Sequence, residues 1–126
     1  MPGFVDNPYK FIQRCSVLAL SSRWEGLPLT LIEGMALSVP LVSTDCPSGP
    51  RELLEDGKWG TLVPVGDSAS LAQALREALD APKVASPQAL ERFDVDRTVS
   101  QYLTVLGLES SYEERVITRL RAGNRD

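Results

Sequence analysis

Arg23-Trp24-Glu25-Gly26-Leu27-Pro28-Leu29-Thr30-Leu31-Ile32-Glu33 is the stretch around which this chain is organised. It follows an apolar run, Ser16 to Leu20, that reads as a buried strand, and it opens a helical run through Leu37. A strand, a turn holding Gly26 and Pro28, and a helix start together make an anion site. The first N–H groups of a helix have no partner of their own and carry the positive end of its dipole. Two carboxylates, Glu25 and Glu33, stand with seven residues between them. Glu25 falls in the turn beside the helix tip, and Glu33 falls roughly two turns into the helix. A ligand with phosphates at the tip and hydroxyl groups on both sides would fit, which describes a nucleotide sugar.

Outward from this stretch, strands alternate with helices. Tyr9 to Arg14 reads as a short helix, and Ser16 to Ser21 as a strand whose unbroken apolar run predicts burial on both faces, as in a parallel sheet. Val39 to Thr44 is a further strand, with Pro40 near its entry, where a missing N–H does little harm. Pro50 suits the first position of a short helix to Leu54, capped by Ser48 or Gly49. Asp56-Gly57 is a turn, and Gly60 to Val65 a strand. Gly66-Asp67 ends that strand, and Asp67 or Ser68 caps a helix from about Ser68 to Ala81, with Leu71, Ala74, Leu75, Ala78 and Leu79 at helical spacing. Gln88 to Phe93, Asp96 to Leu106 and Glu109 to Arg121 read as helices. The alternation predicts right-handed crossovers and a parallel, α/β, three-layer Rossmann-like sheet of about four strands with flanking helices.

The 126 residues suffice for one domain with a core; 43% are hydrophobic and 24% charged, ordinary for a globular protein. A net charge of −4 gives no electrostatic footprint for nucleic acid. No histidine is present, which excludes a histidine-based triad within this chain. No P-loop or dinucleotide GxGxxG occurs. Cys15 and Cys46 show no metal-ligand spacing and read as reduced thiols of a cytoplasmic protein. No segment is long enough to span a membrane, and a signal peptide is not expected.

EGLPLTLIE after a strand resembles the donor-site motif of the retaining glycosyltransferase family 4, the glycosyl transferases group 1. The likeness extends through TDCPSGPRE and GTLVPVGD, and ERFDVDRTVSQYL resembles the segment that closes that family's C-terminal, donor-binding domain. It runs from about Gly3 to Leu106. The resemblance implies a partial C-terminal domain of a two-Rossmann-domain enzyme over residues 1–106, with a helical tail over 107–126, and makes Gly3-Phe4-Val5 the end of a strand. It implies that Glu25 contacts hydroxyls of the donor sugar and Glu33 the ribose hydroxyls, while backbone N–H groups near Leu29 and Thr30 cradle the diphosphate. The plain alternatives are a solvated loop glutamate and an exposed helix glutamate. Thr30 could instead cap the helix. Gly26 either lets the sugar approach the main chain or is a turn glycine needing positive φ. Trp24 is either packing or site wall. Arg23, Gly49, Arg51 and Glu52 are weaker candidates. The likeness of TDCPSGPRE to relatives that use UDP-sugars implies a UDP-sugar donor. No metal and no cofactor are implied.

By the same resemblance the acceptor domain and the basic residues that neutralise the diphosphate lie outside this chain, so little or no turnover is expected from it alone. A sheet without its inner neighbours leaves an apolar edge, which predicts a homodimer or a partner chain carrying the acceptor domain. The rival reading is a non-catalytic interaction or regulatory protein that keeps the fold.

Overall fold

The computed structural model describes residues 3–108. They divide into two units, one up to Leu90 and one from Glu91 on. In the first, the order is helix α1 (Tyr9–Ile12), strand β1 (Leu18–Leu20), helix α2 (Leu29–Ala36), strand β2 (Leu41–Thr44), helix α3 (Pro50–Leu53), strand β3 (Thr61–Val63) and helix α4 (Ser68–Asp80). The helix expected from Gln88 to Phe93 is a 3-10 helix, Pro87–Phe93. Helix α5 (Val95–Leu106) belongs to the second unit. The expected helix Glu109 to Arg121 lies outside the described residues.

The sheet is parallel, in the order β1-β2-β3. Leu18 pairs with Leu41 and Leu20 with Ser43, while Val42 pairs with Thr61 and Thr44 with Val63. Three strands are present among the described residues rather than about four. Gly3 to Val5 pairs with no strand there, and Phe4 stands 92% exposed. Without a neighbour to exchange N–H and C=O bonds with, that segment has no ladder to join.

Successive side chains of a strand point to opposite faces, and this alternation sets the layers. Leu41 turns toward α2, whose Leu31 and Met35 are buried. Val42 turns the other way and joins Val63, Ala74 and Ala78, with Val17, Leu71 and Leu75 packed around them. Helix α2 therefore covers one face over β1 and β2, and α4 covers the other over β2 and β3. Helix α2 fits tightly on the sheet at Gly34: a Cβ there would meet Leu41 Cδ2 at 2.6 Å and Leu18 Cδ2 at 2.7 Å.

Strand β2 is buried along its whole length. Strand β1 is not, against expectation: Leu18 and Leu20 are half-buried and Ala19 is exposed. Ala19 shares the face of its partner Val42, but α4 lies over β2 and β3, so nothing among the described residues covers it. No helix among them is long and apolar enough to cross a membrane.

The helix ends follow the sequence closely. Gly66 supplies a φ of +82° and Asp67 caps α4, accepting from the Ser70 N–H at 2.9 Å and the Ser70 hydroxyl at 2.7 Å. Asp94 caps α5 at the Arg97 N–H, and Gly107, in the left-handed region, closes its far end with Leu108 N–H bonded to Leu103 O.

Those bonds from Ser70, the hydroxyl first and the N–H second, hold the Asp67 carboxyl below its ordinary 3.8. A depressed carboxyl adds stability above its unfolded value and loses it as pH falls through the folded one. The stability margin of the wild type over Asp67→Asn should thus be flat above about pH 5 and shrink as the solution is acidified. Urea denaturation at a series of pH values reads it; a margin independent of pH would mean the cap does not titrate.

Candidate functional site

Because the three strands are parallel, Ser21, Asp45 and Pro64 all emerge on one edge of the sheet. In open α/β sheets this is the edge where ligands bind. The turn after β1 carries Trp24, Glu25, Gly26, Leu27 and Pro28, and Pro28 is the residue from which α2 starts. Glu33 is the fifth residue of α2, just past its first turn, rather than two turns in. With Pro28 as its cap residue, α2 starts at Leu29, so Glu33 stays near its tip.

No side chain caps α2. Thr30 therefore does not play the capping role, and the N–H groups of Leu29 and Thr30, at the first two positions, have no intrahelical acceptor. Gly26 is not among the residues with positive φ, so the turn-glycine alternative falls. No atom stands within 4 Å of where its Cβ would be, and the main chain there is bare to solvent. Trp24, Leu27 and Leu29 are exposed, which removes the packing alternative for Trp24.

Glu25 and Glu33 are both half-buried. Each accepts a hydrogen bond: Glu33 Oε1 from the Tyr9 hydroxyl at 3.4 Å, and Glu25 Oε1 from the Ser22 hydroxyl at 2.5 Å. The Ser22 carbonyl in turn accepts from the Thr44 hydroxyl at 2.5 Å, and Thr44 is 4% exposed. A polar chain thus runs from the end of β2 through the end of β1 to the first carboxylate. Sequence reasoning passed over Ser22, Thr44 and Tyr9. Their only signal was polarity at the ends of apolar strands and a Tyr in a short helix.

The loop Asp45 to Gly49 closes in from the other side. Ser48 and Gly49 both have positive φ, +64° and +79°. A Cβ on Gly49 would stand 2.5 Å from Pro28 Cδ and 2.6 Å from the Gly26 carbonyl oxygen. Arg51 is engaged by Asp45 and by Asp56, the latter at 3.0 Å, and its hydrogen bonds to Asp45 first and Asp56 second raise its pKa. Its charge braces the loop. Glu52 is exposed on α3. Arg23 lines a separate hollow of about 250 Å³ with Ser21, Thr44, Gly66, Asp67 and Ser68 at the ends of the three strands.

Residues 1–81 match the family described as glycosyl transferases group 1. The chain belongs to this family. It is 42% identical over 82 residues to the N-acetylgalactosamine-N,N'-diacetylbacillosaminyl-diphospho-undecaprenol 4-alpha-N-acetylgalactosaminyltransferase of Campylobacter jejuni, covering 65% of this chain and 22% of that one. It is 37% identical over 68 residues to the lipopolysaccharide 1,6-galactosyltransferase of Salmonella typhimurium, 51% of this chain and 19% of the relative. With the phosphatidyl-myo-inositol mannosyltransferase of Mycobacterium leprae it shares 37% identity over 87 residues, 64% and 23% of the two chains. The present group 1 chain thus spans about a fifth to a quarter of the length of these relatives. The matched stretch holds β1, the motif turn, α2, the Asp45–Gly49 loop and β3.

Thr44→Val keeps the shape of the side chain and removes the hydroxyl that the Ser22 carbonyl accepts from. In a buried setting this should cost about 1 kcal/mol of stability. Urea unfolding of the variant checks it; an unchanged midpoint would mean that the polar chain does not hold the strand ends together.

Proposed function

We propose that this chain is the nucleotide-sugar-binding portion of a retaining glycosyltransferase, working with a UDP-sugar and transferring its glycosyl group to an acceptor held by a separate acceptor domain. The supporting observation is the uncapped start of α2 between two half-buried glutamates. On this reading the Leu29 and Thr30 N–H groups receive the diphosphate, Glu33 accepts from the ribose hydroxyls, and Glu25 from the sugar. The bare main chain at Gly26 gives the sugar room. In transfer, the bond from the anomeric carbon to the diphosphate breaks, and charge develops on the departing phosphate. Helix-tip amides aimed there stabilise that charge, as preorganised donors do elsewhere. The cation that completes this stabilisation comes from outside the described residues. The proposed compartment is the cytoplasm, where thiols such as Cys15 and Cys46, both free here, stay reduced. The relatives above name three different sugars, so the sugar is not assigned from likeness.

Titration of the labelled chain with UDP and a UDP-sugar, followed by amide NMR shifts at millimolar ligand, tests the reading. Glu33→Ala should weaken both ligands by about tenfold or more, the worth of a charged hydrogen bond. Glu25→Ala should weaken the UDP-sugar and spare UDP. A folded wild type that responds to neither ligand would support the non-catalytic interaction protein instead.

The outer edge of β1, with Ala19 bare, is the surface on which we place a second copy or the acceptor-domain chain. Sizing chromatography of the chain alone should show a dimer at high concentration; a monomer throughout leaves the acceptor-domain chain as the partner, and a monomer that also fails to bind that domain would refute it.

A further inference from the structure

Gly49 joins two loops that lie far apart in sequence. Its φ of +79° and ψ of −75° place it in a tight turn geometry that L side chains rarely adopt. It is buried, and what it touches is the donor motif turn itself: the carbonyl oxygen of Gly26 and the ring of Pro28. Neither is the loose end of a flexible side chain. One is backbone, and the other is a ring at the start of α2 that is itself buried.

The loop that carries Gly49 is held from its far side. Arg51 ties Asp45 to Asp56, and the Leu53 N–H bonds to the Gly49 carbonyl at 2.8 Å. A braced loop cannot retreat easily, so a larger residue at position 49 must move the motif turn. Bringing the 2.6 Å approach out to an ordinary contact of 3.4 Å displaces Gly26 relative to the sheet. Glu25 precedes Gly26 directly, and α2 begins right after Pro28.

We propose that Gly49 is a positioning residue of the donor site: its missing side chain lets the Asp45–Gly49 loop seat against Gly26 and Pro28, and that seat sets where Glu25 and the first amides of α2 stand. The role rests on the donor-binding reading above. It is separate from the weaker expectation that Gly49 touches the sugar, because it acts through the motif turn.

The test compares Gly49→Ala with Ala78→Gly in the full chain. Ala78→Gly weakens α4 in the core on the sheet face away from α2 and serves as a control for lost stability. Amide NMR titration with UDP, GDP and ADP gives affinity, and thermal unfolding gives stability. Gly49→Ala should lower the affinity for the nucleotide that binds by about tenfold or more, since small misplacements of binding groups are costly. It should also shift the Gly26 and Leu29 amide resonances without ligand. Ala78→Gly should lower the melting midpoint with little change in affinity. Adding Pro28→Ala to Gly49→Ala removes one of the two clashing groups and should restore part of the loss.

A folded Gly49→Ala with wild-type affinity overturns the proposal. If that variant does not fold, Pro28→Ala alone is read: it opens the seat from the other side and should weaken binding, and unchanged affinity overturns the proposal equally. If the wild type binds none of the three nucleotides, the donor-binding reading has failed. The seat is then judged on the unliganded Gly26 and Leu29 resonances, which must move in Gly49→Ala and stay in Ala78→Gly.

Discussion

Everything at the candidate site depends on how closely α2 lies on the sheet. The contact is made at Gly34, where Leu18 and Leu41 fill the space a side chain would take. Gly34 follows Glu33 in the chain. Neighbouring residues of a helix are separated by about 100° around its axis, so fixing one fixes the direction of the next. With Gly34 pressed to the sheet, and Leu31 and Met35 buried beside it, the helix cannot roll. Glu33 is thereby held toward α1, where Tyr9 meets it, and the tip of α2 is held at the ligand-binding edge of the sheet. A looser helix would present the same carboxylate to solvent in many directions and lose the contact with Tyr9.

The second constraint is the treatment of the motif turn. The loop of residues 21–28 between β1 and α2 could take many conformations, and ordering it costs entropy. Two devices limit that freedom. The Thr44–Ser22–Glu25 hydrogen bonds tie its start to β2, and Pro28 seated against Gly49 ties its end to the neighbouring loop. The open part is what remains between them: Gly26, bare, and the exposed side chains Trp24 and Leu27. Rigid ends around a bare middle are what a site for a large polar ligand needs, since the ordering cost is met on folding rather than on binding.

The strands, the helices and their caps were readable because their signals are local. Asp67 after Gly66, Pro50 after Gly49, and the spacing of Ala74 and Ala78 each depend on a few neighbouring residues. The parallel sheet was readable from alternation. What escaped depends on contacts across the sequence. Whether Thr44 meets Ser22 is set by the register of β1 on β2, and nothing within either segment encodes it. Arg51 was a weaker site candidate because it stands in the TDCPSGPRE stretch. Its partners Asp45 and Asp56 lie on either side of α3 and reach it only once the chain turns back through Glu55, Asp56 and Gly57, three residues in succession with positive φ. The half-exposure of β1 was likewise hidden, because an apolar run reads as buried whether or not a helix covers its second face. Gly26 and Gly49 show the same limit. Composition marks both as turn glycines, but only Gly49 needs its freedom in φ; Gly26 is defined by the empty space beside it.

The charge balance at the site carries one further consequence. A helix tip is worth roughly half a positive charge, and it stands between two carboxylates. Arg51 is spent on Asp45 and Asp56, and Lys58 on Glu55. Arg23, in the motif turn, lines the hollow at the strand ends. On the proposed donor reading, the glutamates would take the hydroxyl-bearing ends of a nucleotide sugar, and its charged middle would be left to the helix tip. Positive charge supplied by another segment would then act at the phosphates alone, where it both completes donor binding and stabilises the leaving group. On that reading, donor affinity would be coupled to assembly with whatever carries the cation. Binding to the isolated chain, where it occurs, reports on the carboxylates and the helix tip, without the stronger term that the cation would add.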